Sequence, residues 1–198
     1  MSTLRLLAVA GSSRSGSWNR KLVEVAAKAA EARGAQVEWL DLRSLGLPLY
    51  DADLEKASGV PDGARRLRDA LRGADGVLLS APEYNGFPTP LVINSFDWLS
   101  RLQPEGDAPS GLAASSGKPL GMLSASPGPL GALRSLNYTR QYLSMTIAMM
   151  PVPQQFALAR AGEAFDEAGA LKDAKQQSAV DAVVAAVIRL ATALKSSG

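Results

Sequence analysis

The chain of 198 residues contains no cysteine and no histidine. The absence of cysteine excludes disulfide bonds, thiol nucleophiles and thiolate metal ligands. The absence of histidine excludes serine–histidine catalysis, histidine general acid–base catalysis and histidine metal ligands. Any chemistry must therefore use carboxylates, hydroxyls, lysine or arginine, the backbone or a bound cofactor.

An excess of charge of one sign is also lacking. The 21 basic residues nearly balance the 19 acidic ones, which leaves a formal net charge of +2. No dense lysine or arginine cluster appears, so we expect no nucleic-acid partner. The first residues run directly into a predicted strand without room for a signal peptide, and the apolar stretches are too short or too interrupted to span a bilayer. We expect a cytoplasmic protein with no membrane segment and no bound metal.

Short apolar runs alternate with amphipathic ones, as in α/β proteins. A hydrophobic content of 46% suits one globular domain over residues 1–198. The predicted strands cover residues 4–10, 37–41, 76–80, 119–123 and 152–156. The predicted helices cover residues 19–33, 61–72, 88 or 90 to 102, 130–149, and a last helix from about residue 172, while residues 103–117 are predicted to be a loop. The pattern predicts a five-stranded parallel sheet with helices on both faces.

Ligands of such sheets bind at the carboxyl ends of the strands. The loops after strands one, three and four, at residues 11–19, 81–87 and 124–131, should therefore converge. The first loop carries small hydroxylated residues and Arg14 before a helix, which favours an anion because helix N-terminal N–H groups are free. It lacks the Walker A lysine, so a phosphate monoester suits it better than a nucleoside triphosphate. The plain alternative is an ordinary loop in which Ser17 or Asn19 caps the helix.

The second and third loops are rich in proline and glycine. Two prolines stiffen the second loop, and Gly86 would let a flat group approach the backbone. Such a loop can offer backbone groups to the edge of a heterocycle, with Tyr84 packed nearby. Small residues in the third loop leave room for a ring. A rigid turn explains either loop equally well when each is taken alone.

Three motifs together resemble the NADPH-dependent FMN reductase family, which includes flavodoxin-like quinone, azo-dye and chromate reductases. The residues that carry the resemblance are Gly11-Ser12-Ser13-Arg14 with Ser17 and Asn19, then Pro82-Glu83-Tyr84-Asn85, then Asn94, Asp97, Trp98, Ser100 and Arg101. The resemblance implies a flavodoxin-like fold with bound FMN. Phe87 and Ile93 depart from the family, which often has serine and lysine there, and this concerns the rim of the flavin pocket.

The resemblance also implies residue roles. The FMN phosphate would contact Ser12, Arg14, Ser17 and Asn19, with Trp18 counted among the cofactor-binding candidates. The isoalloxazine would border Pro82, Glu83, Tyr84, Asn85 and Gly86, and the loop with Ser124 and Ser126 would lie near the ring. No catalytic acid or base is assigned, and Glu83 is interpreted as a structural carboxylate that bonds the loop backbone.

The implied reaction begins with NADPH or NADH, which passes a hydride to FMN. The reduced FMN then passes electrons to a small-molecule acceptor such as a quinone, flavin, azo compound or chromate. Two alternatives remain open: a flavodoxin-like electron carrier, and a flavin-bound stress or interaction protein with slow turnover. Carriers of that type are usually strongly acidic, unlike this chain.

The two predicted helices at residues 90–102 and 130–149 carry apolar residues on more than one side. Surplus apolar surface favours an interface. The side chains concerned are Leu91, Phe96, Trp98 and Leu99 in the first helix, and Leu133, Leu136, Tyr138, Tyr142, Met145 and Met149 in the second. The sequence and the family resemblance together predict a homodimer or homotetramer. The alternative is that residues 103–117 cover these side chains.

Overall fold

A computed structural model describes residues 3–196 and contains a five-stranded parallel sheet with strand order β2-β1-β3-β6-β7. The strands of this sheet are β1 (Arg5–Ala10), β2 (Gln36–Asp41), β3 (Gly76–Ser80), β6 (Pro119–Ala125) and β7 (Met150–Leu158). Two further short strands, β4 (Glu83–Tyr84) and β5 (Phe87–Pro88), form a separate antiparallel hairpin. The predicted α/β fold with five parallel strands is confirmed. The strand order reverses between β1 and β3, where ligands of such sheets bind.

Helices cover both faces of the sheet, as predicted. They are α1 (Trp18–Glu31), α2 (Ala52–Ser58), α3 (Asp62–Gly73), α4 (Pro90–Arg101), α5 (Gly111–Ser115), α6 (Leu133–Met145), α7 (Ala161–Ala164) and α8 (Ala174–Ser196). Leu7 and Val9 of β1 enter the core beneath α3, α4 and α6. Leu6 and Ala8 of the same strand enter the core beneath α1 and α8. This alternation follows from the two-residue period of a strand.

Helix α8 corrects one expectation about membranes. By length and composition alone, its 23 residues are apolar enough to cross a bilayer, although the sequence analysis found no such stretch. A core helix passes the same test. Val180, Val183, Val184 and Val187 are fully buried against the sheet, so the apolar character of α8 has a structural explanation in this fold.

Hydrophobic periodicity did not predict helices α2, α5 and α7, a short 3-10 helix at Leu42–Leu45, or the β4–β5 hairpin. Helix α2 lies in the long loop after β2, α5 lies within the predicted loop at residues 103–117, and the β4–β5 hairpin lies within the second site loop. Helix α6 is shorter than predicted, because Ala132 and Ala148 near its two ends have left-handed backbone angles. Strand β7 is correspondingly longer at its N-terminal end.

Much of the apolar surface predicted to be left over on α4 and α6 is buried within the chain. The residues concerned are Phe96, Trp98, Leu99, Leu136 and Met149. Helix α5 accounts for part of this burial, because Gly111 N donates to Leu102 O at 3.0 Å and brings the 103–117 segment onto α4. The remaining exposed residues are Leu133, Tyr138 and Met145 on α6.

Candidate functional site

Three loops meet at the carboxyl ends of β1, β3 and β6 around a cavity of about 270 Å³. Its walls include nine of the predicted cofactor residues, namely Ser12, Arg14, Ser17, Trp18, Asn19, Pro82, Glu83, Tyr84 and Ser126. Ala125 and Pro127 complete the lining. The remaining three candidates, Asn85, Gly86 and Ser124, do not line the cavity. The three loops therefore converge as the parallel sheet requires.

The first loop begins after β1 at Gly11. Hydrogen bonds and close packing fix the position of this residue. Gly11 N donates to Ser80 O at 2.9 Å, and the Thr89 hydroxyl donates to Gly11 O at 3.1 Å. A Cβ at Gly11 would lie 2.7 Å from a Val92 methyl carbon and 2.8 Å from the Ala81 Cβ. Only glycine fits this close approach, so the start of the loop is rigidly placed on β3 and α4.

Ser17 caps helix α1 and presents that helix N-terminus to the cavity. The Ser17 hydroxyl accepts from Asn19 N at 3.1 Å, which leaves its own proton free to donate. Ser12 is also buried, and its hydroxyl accepts weakly from Arg14 N at 3.4 Å. Two buried hydroxyls beside the N-terminus of a 14-residue helix form a suitable site for an anion.

Asn19 connects three parts of the framework around the cavity. Its Nδ2 donates to Ala125 O at 2.9 Å, and its Oδ1 accepts from Ala125 N at 2.9 Å and from the Ser80 hydroxyl at 3.0 Å. The residue is only 2% exposed. The Asn19 amide therefore joins the ends of β3 and β6 to α1, and its contact with a phosphate stays a prediction.

Arg14 is the cation nearest the cavity. Its guanidinium carbon lies 4.3 Å from the ring centroid of Trp18, and its Nη2 contacts Gly16 O at 3.5 Å. The second contact is at the limit of a hydrogen bond and is weak. The guanidinium is exposed and is free to turn toward an anion in the loop. The cation–π contact with Trp18 keeps the guanidinium beside the cavity.

Two more arginines, Arg43 and Arg20, lie beside the first loop, and the sequence analysis did not identify them. Arg43 Nη1 donates to Ser13 O at 2.8 Å, and Arg20 forms an ion pair with Asp41. These side chains border a second cavity of about 530 Å³, which adjoins the first and shares Ser12 and Arg14 with it. Because β2 lies beside β1 in the sheet, the loop after β2 must lie next to the first loop. Arg43 is in that loop, so its position after β2 was the signal that could have identified it.

Asn85 and Gly86 form the turn of the β4–β5 hairpin. Their φ angles are +53° and +85°, and Tyr84 pairs directly with Phe87 across the turn. A two-residue connection with two positive φ angles is a type I′ turn, for which Asn-Gly is the strongest sequence signal. The Asn85-Gly86 pair in the sequence therefore indicated this hairpin, but the segment was predicted to be a loop. The two residues shape the wall that carries Tyr84 rather than lining the cavity.

Glu83 and Arg134 form an ion pair at the base of the hairpin. Arg134 Nη2 donates to Glu83 Oε1 at 2.9 Å, and this bond raises the pKa of the Arg134 guanidinium. The Glu83 side chain is 14% exposed. Glu83 does not bond the loop backbone as predicted from the sequence; its carboxylate is held from helix α6. A Cβ at Gly86 would lie 3.4 Å from Arg134 Nε, so the flat group that approaches this glycine is the guanidinium.

The third loop contributes Ser126 to the cavity and keeps Ser124 away from it. Ser126 Oγ accepts from Gly128 N at 3.1 Å. Ser124 is fully buried, and its hydroxyl donates to Gly131 O at 2.7 Å. The Ser124 hydroxyl therefore stabilises the conformation of the third loop. From the sequence alone, this role could not be distinguished from contact with a ligand.

The two residues that depart from the family pattern border an apolar cleft beyond the hairpin. The Phe87 ring stacks on Tyr138 with centroids 4.5 Å apart and an interplanar angle of 16°. Ile93, Tyr142 and Met145 also line this cleft, which has a volume of about 400 Å³. Both departures contribute apolar side chains to this cleft, and their effect on the rim of the flavin pocket stays a prediction.

The third motif attaches the segment after β2 to helix α4. Asn94 Nδ2 and Trp98 Nε1 both donate to Pro48 O, at 2.7 Å and 2.8 Å. Arg101 Nε bonds both oxygens of Glu55 at 3.0 Å, and this ion pair lowers the pKa of the Glu55 carboxyl. The motif does not line the cavity, so its role in this chain is structural.

The residues present fit FMN. The α1 N-terminus, Ser12, Ser17 and Arg14 provide donors and charge for a phosphate at one end of the cavity. Pro82 and Tyr84 provide flat walls for a ring, and Glu83 Oε2 is a buried acceptor without any donor. Within residues 3–196, no group of three or more acidic side chains lies close enough to hold a metal ion.

Comparison with known proteins agrees with this site. The family model of NADPH-dependent FMN reductases matches residues 4–163. An NAD(P)H-dependent FMN reductase of Pseudomonas aeruginosa is 32% identical over 177 residues, covering 89% of this chain and 89% of that protein. A quinone reductase of Escherichia coli K12 is 34% identical over 154 residues, covering 77% of this chain and 76% of that protein.

A solved structure is also similar. The flavoenzyme NAD(P)H:(acceptor) oxidoreductase of Paracoccus denitrificans is 30% identical and superimposes with a TM-score of 0.74, covering 94% of this chain and 98% of that one. The predicted flavodoxin-like fold and the predicted class, an NAD(P)H-dependent oxidoreductase with FMN as cofactor, are confirmed. The chain belongs to the NADPH-dependent FMN reductase family.

Proposed function

We propose that the cavity between the three loops binds FMN and that the protein passes electrons from NADPH or NADH to quinone-like acceptors. The observation that carries this proposal is the convergence of nine predicted residues on one cavity, with a helix N-terminus and an arginine beside it. Flavins, azo compounds and chromate are the further acceptors that we propose. The relatives named as quinone reductases support the first of these classes.

The protein's own residues bind and orient the cofactor. Ser12, Ser17 and the N–H groups at the start of α1 hold the phosphate, and Arg14 adds a charged donor. Pro82 and Tyr84 bound the ring. FMN, when bound, supplies the redox chemistry by taking a hydride from the nicotinamide and passing electrons to the acceptor. This division of roles explains how a chain without histidine or cysteine catalyses a reaction.

Titration under anaerobic conditions tests the function. The purified protein should show a flavin visible spectrum that NADPH or NADH bleaches and that a quinone restores, with steady nicotinamide consumption in the presence of both. A flavin spectrum that neither nucleotide bleaches would indicate an electron carrier. Bleaching without faster turnover on adding any acceptor would indicate a flavin-bound stress or interaction protein.

Replacement of Arg14 by alanine should weaken FMN binding by about tenfold or more. A hydrogen bond to a charged group contributes roughly 1.5–3 kcal/mol, and 1.4 kcal/mol is a factor of about ten in affinity. Riboflavin lacks the phosphate, so its affinity should change little. Titration of the apoprotein by flavin fluorescence quenching measures both constants, and equal losses for both ligands would contradict the assignment.

We also propose that the protein is a cytoplasmic homodimer or homotetramer. Phe87, Tyr138 and Met145 are 59%, 47% and 76% exposed and lie around one apolar cleft. Continuous exposed apolar surface of this kind favours association. Because the β4–β5 hairpin carries Phe87 on one side of its turn and Tyr84 on the other, the interface would adjoin the flavin cavity.

Light scattering at micromolar concentration should give at least twice the mass of the chain. Met145→Glu should shift the protein toward the monomer, because it places a charge in the apolar interface. Leu194→Glu is the matched control: this exposed leucine lies on α8, on the opposite face of the sheet, and its replacement should leave the mass unchanged. A monomeric wild-type protein with FMN bound would contradict the proposal.

A further inference from the structure

The second cavity, of about 530 Å³, is polar and positively charged. The nine residues that the structure places around it are four serines, three arginines, one aspartate and one glycine. The arginines are Arg14, Arg20 and Arg43, and the aspartate, Asp41, already pairs with Arg20. Two positive charges of this lining are therefore left without an acidic partner in it. Such a lining disfavours an apolar acceptor such as a quinone and suits a molecule that carries phosphate.

Two of these arginines are held beside the cavity with donors to spare. Arg43 Nη1 donates to Ser13 O at 2.8 Å, and the Arg14 guanidinium carbon lies 4.3 Å from the ring centroid of Trp18. A guanidinium carries several N–H donors, so these contacts place the groups and leave other donors for a ligand. Because the side chains are partly ordered beforehand, binding phosphate oxygens costs them less conformational freedom.

The second cavity adjoins the phosphate end of the flavin cavity. The two cavities share Ser12 and Arg14, which are the residues proposed to hold the FMN phosphate. Pro82 and Tyr84, the walls proposed for the ring, line the first cavity and not the second. A molecule that fills both cavities must therefore continue from the phosphate and not from the ring.

We infer that the second cavity receives the AMP half of FAD, so that the protein takes FAD as well as FMN. The inference rests on the proposed flavin site. FAD is FMN whose phosphate is joined through a second phosphate to adenosine, so the added group begins at the wall that the two cavities share. Arg14 and Arg43 provide charged donors for the second phosphate, and the serine hydroxyls can bond the ribose. The volume of about 530 Å³ is within the range of roughly 300–1,000 Å³ that is common for small-molecule pockets.

The 2′-phosphate of NADPH is the other phosphate that could enter this cavity. The nicotinamide must reach the flavin ring beside Pro82 and Tyr84, whereas the second cavity meets the first at Ser12 and Arg14. The shared wall favours FAD, because the second phosphate of FAD is covalently attached to the phosphate at that wall. The two ligands predict different effects of replacing Arg43.

The first test compares FMN and FAD by isothermal titration calorimetry of the apoprotein. The wild-type protein should bind FAD within about threefold of FMN or more tightly, because contacts with the arginines offset the ordering of the AMP half. Arg43→Ala should weaken FAD binding by about tenfold or more, since it removes a charged hydrogen bond to phosphate, and should weaken FMN binding by less than about threefold.

Arg66→Ala is the matched control for the loss of one positive charge. Arg66 is exposed, donates to Ser44 O at 3.2 Å and does not line the second cavity. Its replacement should change the affinity for either flavin by less than about threefold, because a screened surface charge contributes little. Equal losses of FAD affinity in Arg43→Ala and Arg66→Ala would show a general effect of charge and would overturn the inference.

The second test measures KM for NADPH and for NADH with the FMN-loaded protein. In Arg43→Ala the ratio of the two KM values should stay within about twofold of the wild-type ratio, because the arginine binds the flavin nucleotide. A rise in KM for NADPH alone, with FAD affinity unchanged, would assign the cavity to the 2′-phosphate and overturn the inference. Equal losses of FMN and FAD affinity in Arg43→Ala would also overturn it, since Arg43 would then act only on the first loop. Wild-type protein that binds FMN but binds FAD more than about tenfold more weakly would do the same, whereas failure to bind either flavin would instead overturn the proposed function.

Discussion

Replacement of Asn19 by alanine should lower the free energy of unfolding by about 3 kcal/mol or more and abolish stable flavin binding. The substitution removes the partners of three buried groups: Ala125 N–H, Ala125 C=O and the Ser80 hydroxyl. Each buried group left unpaired costs roughly 1–3 kcal/mol. Because Asn19 joins the ends of β3 and β6 to the start of α1, the loops around the cavity lose their common anchor.

Chemical denaturation measures the stability, and flavin fluorescence quenching measures the binding. Asn137→Ala is the matched control, since it makes the same change within a helix and gains the same helix propensity. Asn137 is exposed and accepts only one hydrogen bond, from Gln155 Nε2 at 3.1 Å, so its replacement should change stability by less than about 1 kcal/mol. Equal effects of the two substitutions would show that the Asn19 network does not stabilise the site.

The position of the site could be predicted from the sequence because it follows from topology. Short apolar runs that alternate with helices require a parallel sheet, and a parallel sheet brings the loops at its carboxyl edge together. The small residues of the first loop and the Ser17 cap before α1 are local signals. The structure therefore agrees with the sequence on which loops form the cavity.

The direction of each side chain could not be predicted in the same way. Asn19 and Ser124 look like ligand contacts in the sequence, but they bond Ala125 and Gly131 of the third loop. The partner of Glu83 is Arg134, which lies 51 residues away on α6. Such pairs depend on how helices pack on the sheet, and hydrophobic periodicity does not carry that information.

Some elements that were not predicted did have a local signal in the sequence. The Asn85-Gly86 pair indicates a type I′ turn, so the β4–β5 hairpin was available from sequence. Helix α5 has only five residues and no repeated apolar spacing, so its presence depends on packing against α4. The long apolar face of α8 was predicted correctly as core cover, although its hydropathy over the whole helix was underestimated.

The third loop holds a glycine whose replacement should be nearly as damaging as that of Asn19. Gly131 has a φ of +59°, and a Cβ there would lie 2.7 Å from backbone atoms of Ala157, Leu158 and Ala159. These atoms lie at and directly after the end of β7, and they cannot move without disturbing the sheet. The carbonyl of Gly131 also accepts the buried Ser124 hydroxyl at 2.7 Å. The loop is therefore fixed at this point from two sides.

Gly131→Ala should lower the free energy of unfolding by about 3 kcal/mol, since the left-handed backbone costs an alanine roughly 1–2 kcal/mol and forced packing adds about 1–3 kcal/mol. Gly128→Ala in the same loop is the control. A Cβ at Gly128 meets only the Ser126 hydroxyl, at 3.4 Å, so stability should change by less than about 0.5 kcal/mol. Thermal and urea unfolding of both variants measures the difference. FMN affinity should fall with stability in Gly131→Ala, because the displaced loop carries Ser126 on the cavity wall, and equal stability of the two variants would refute the steric argument.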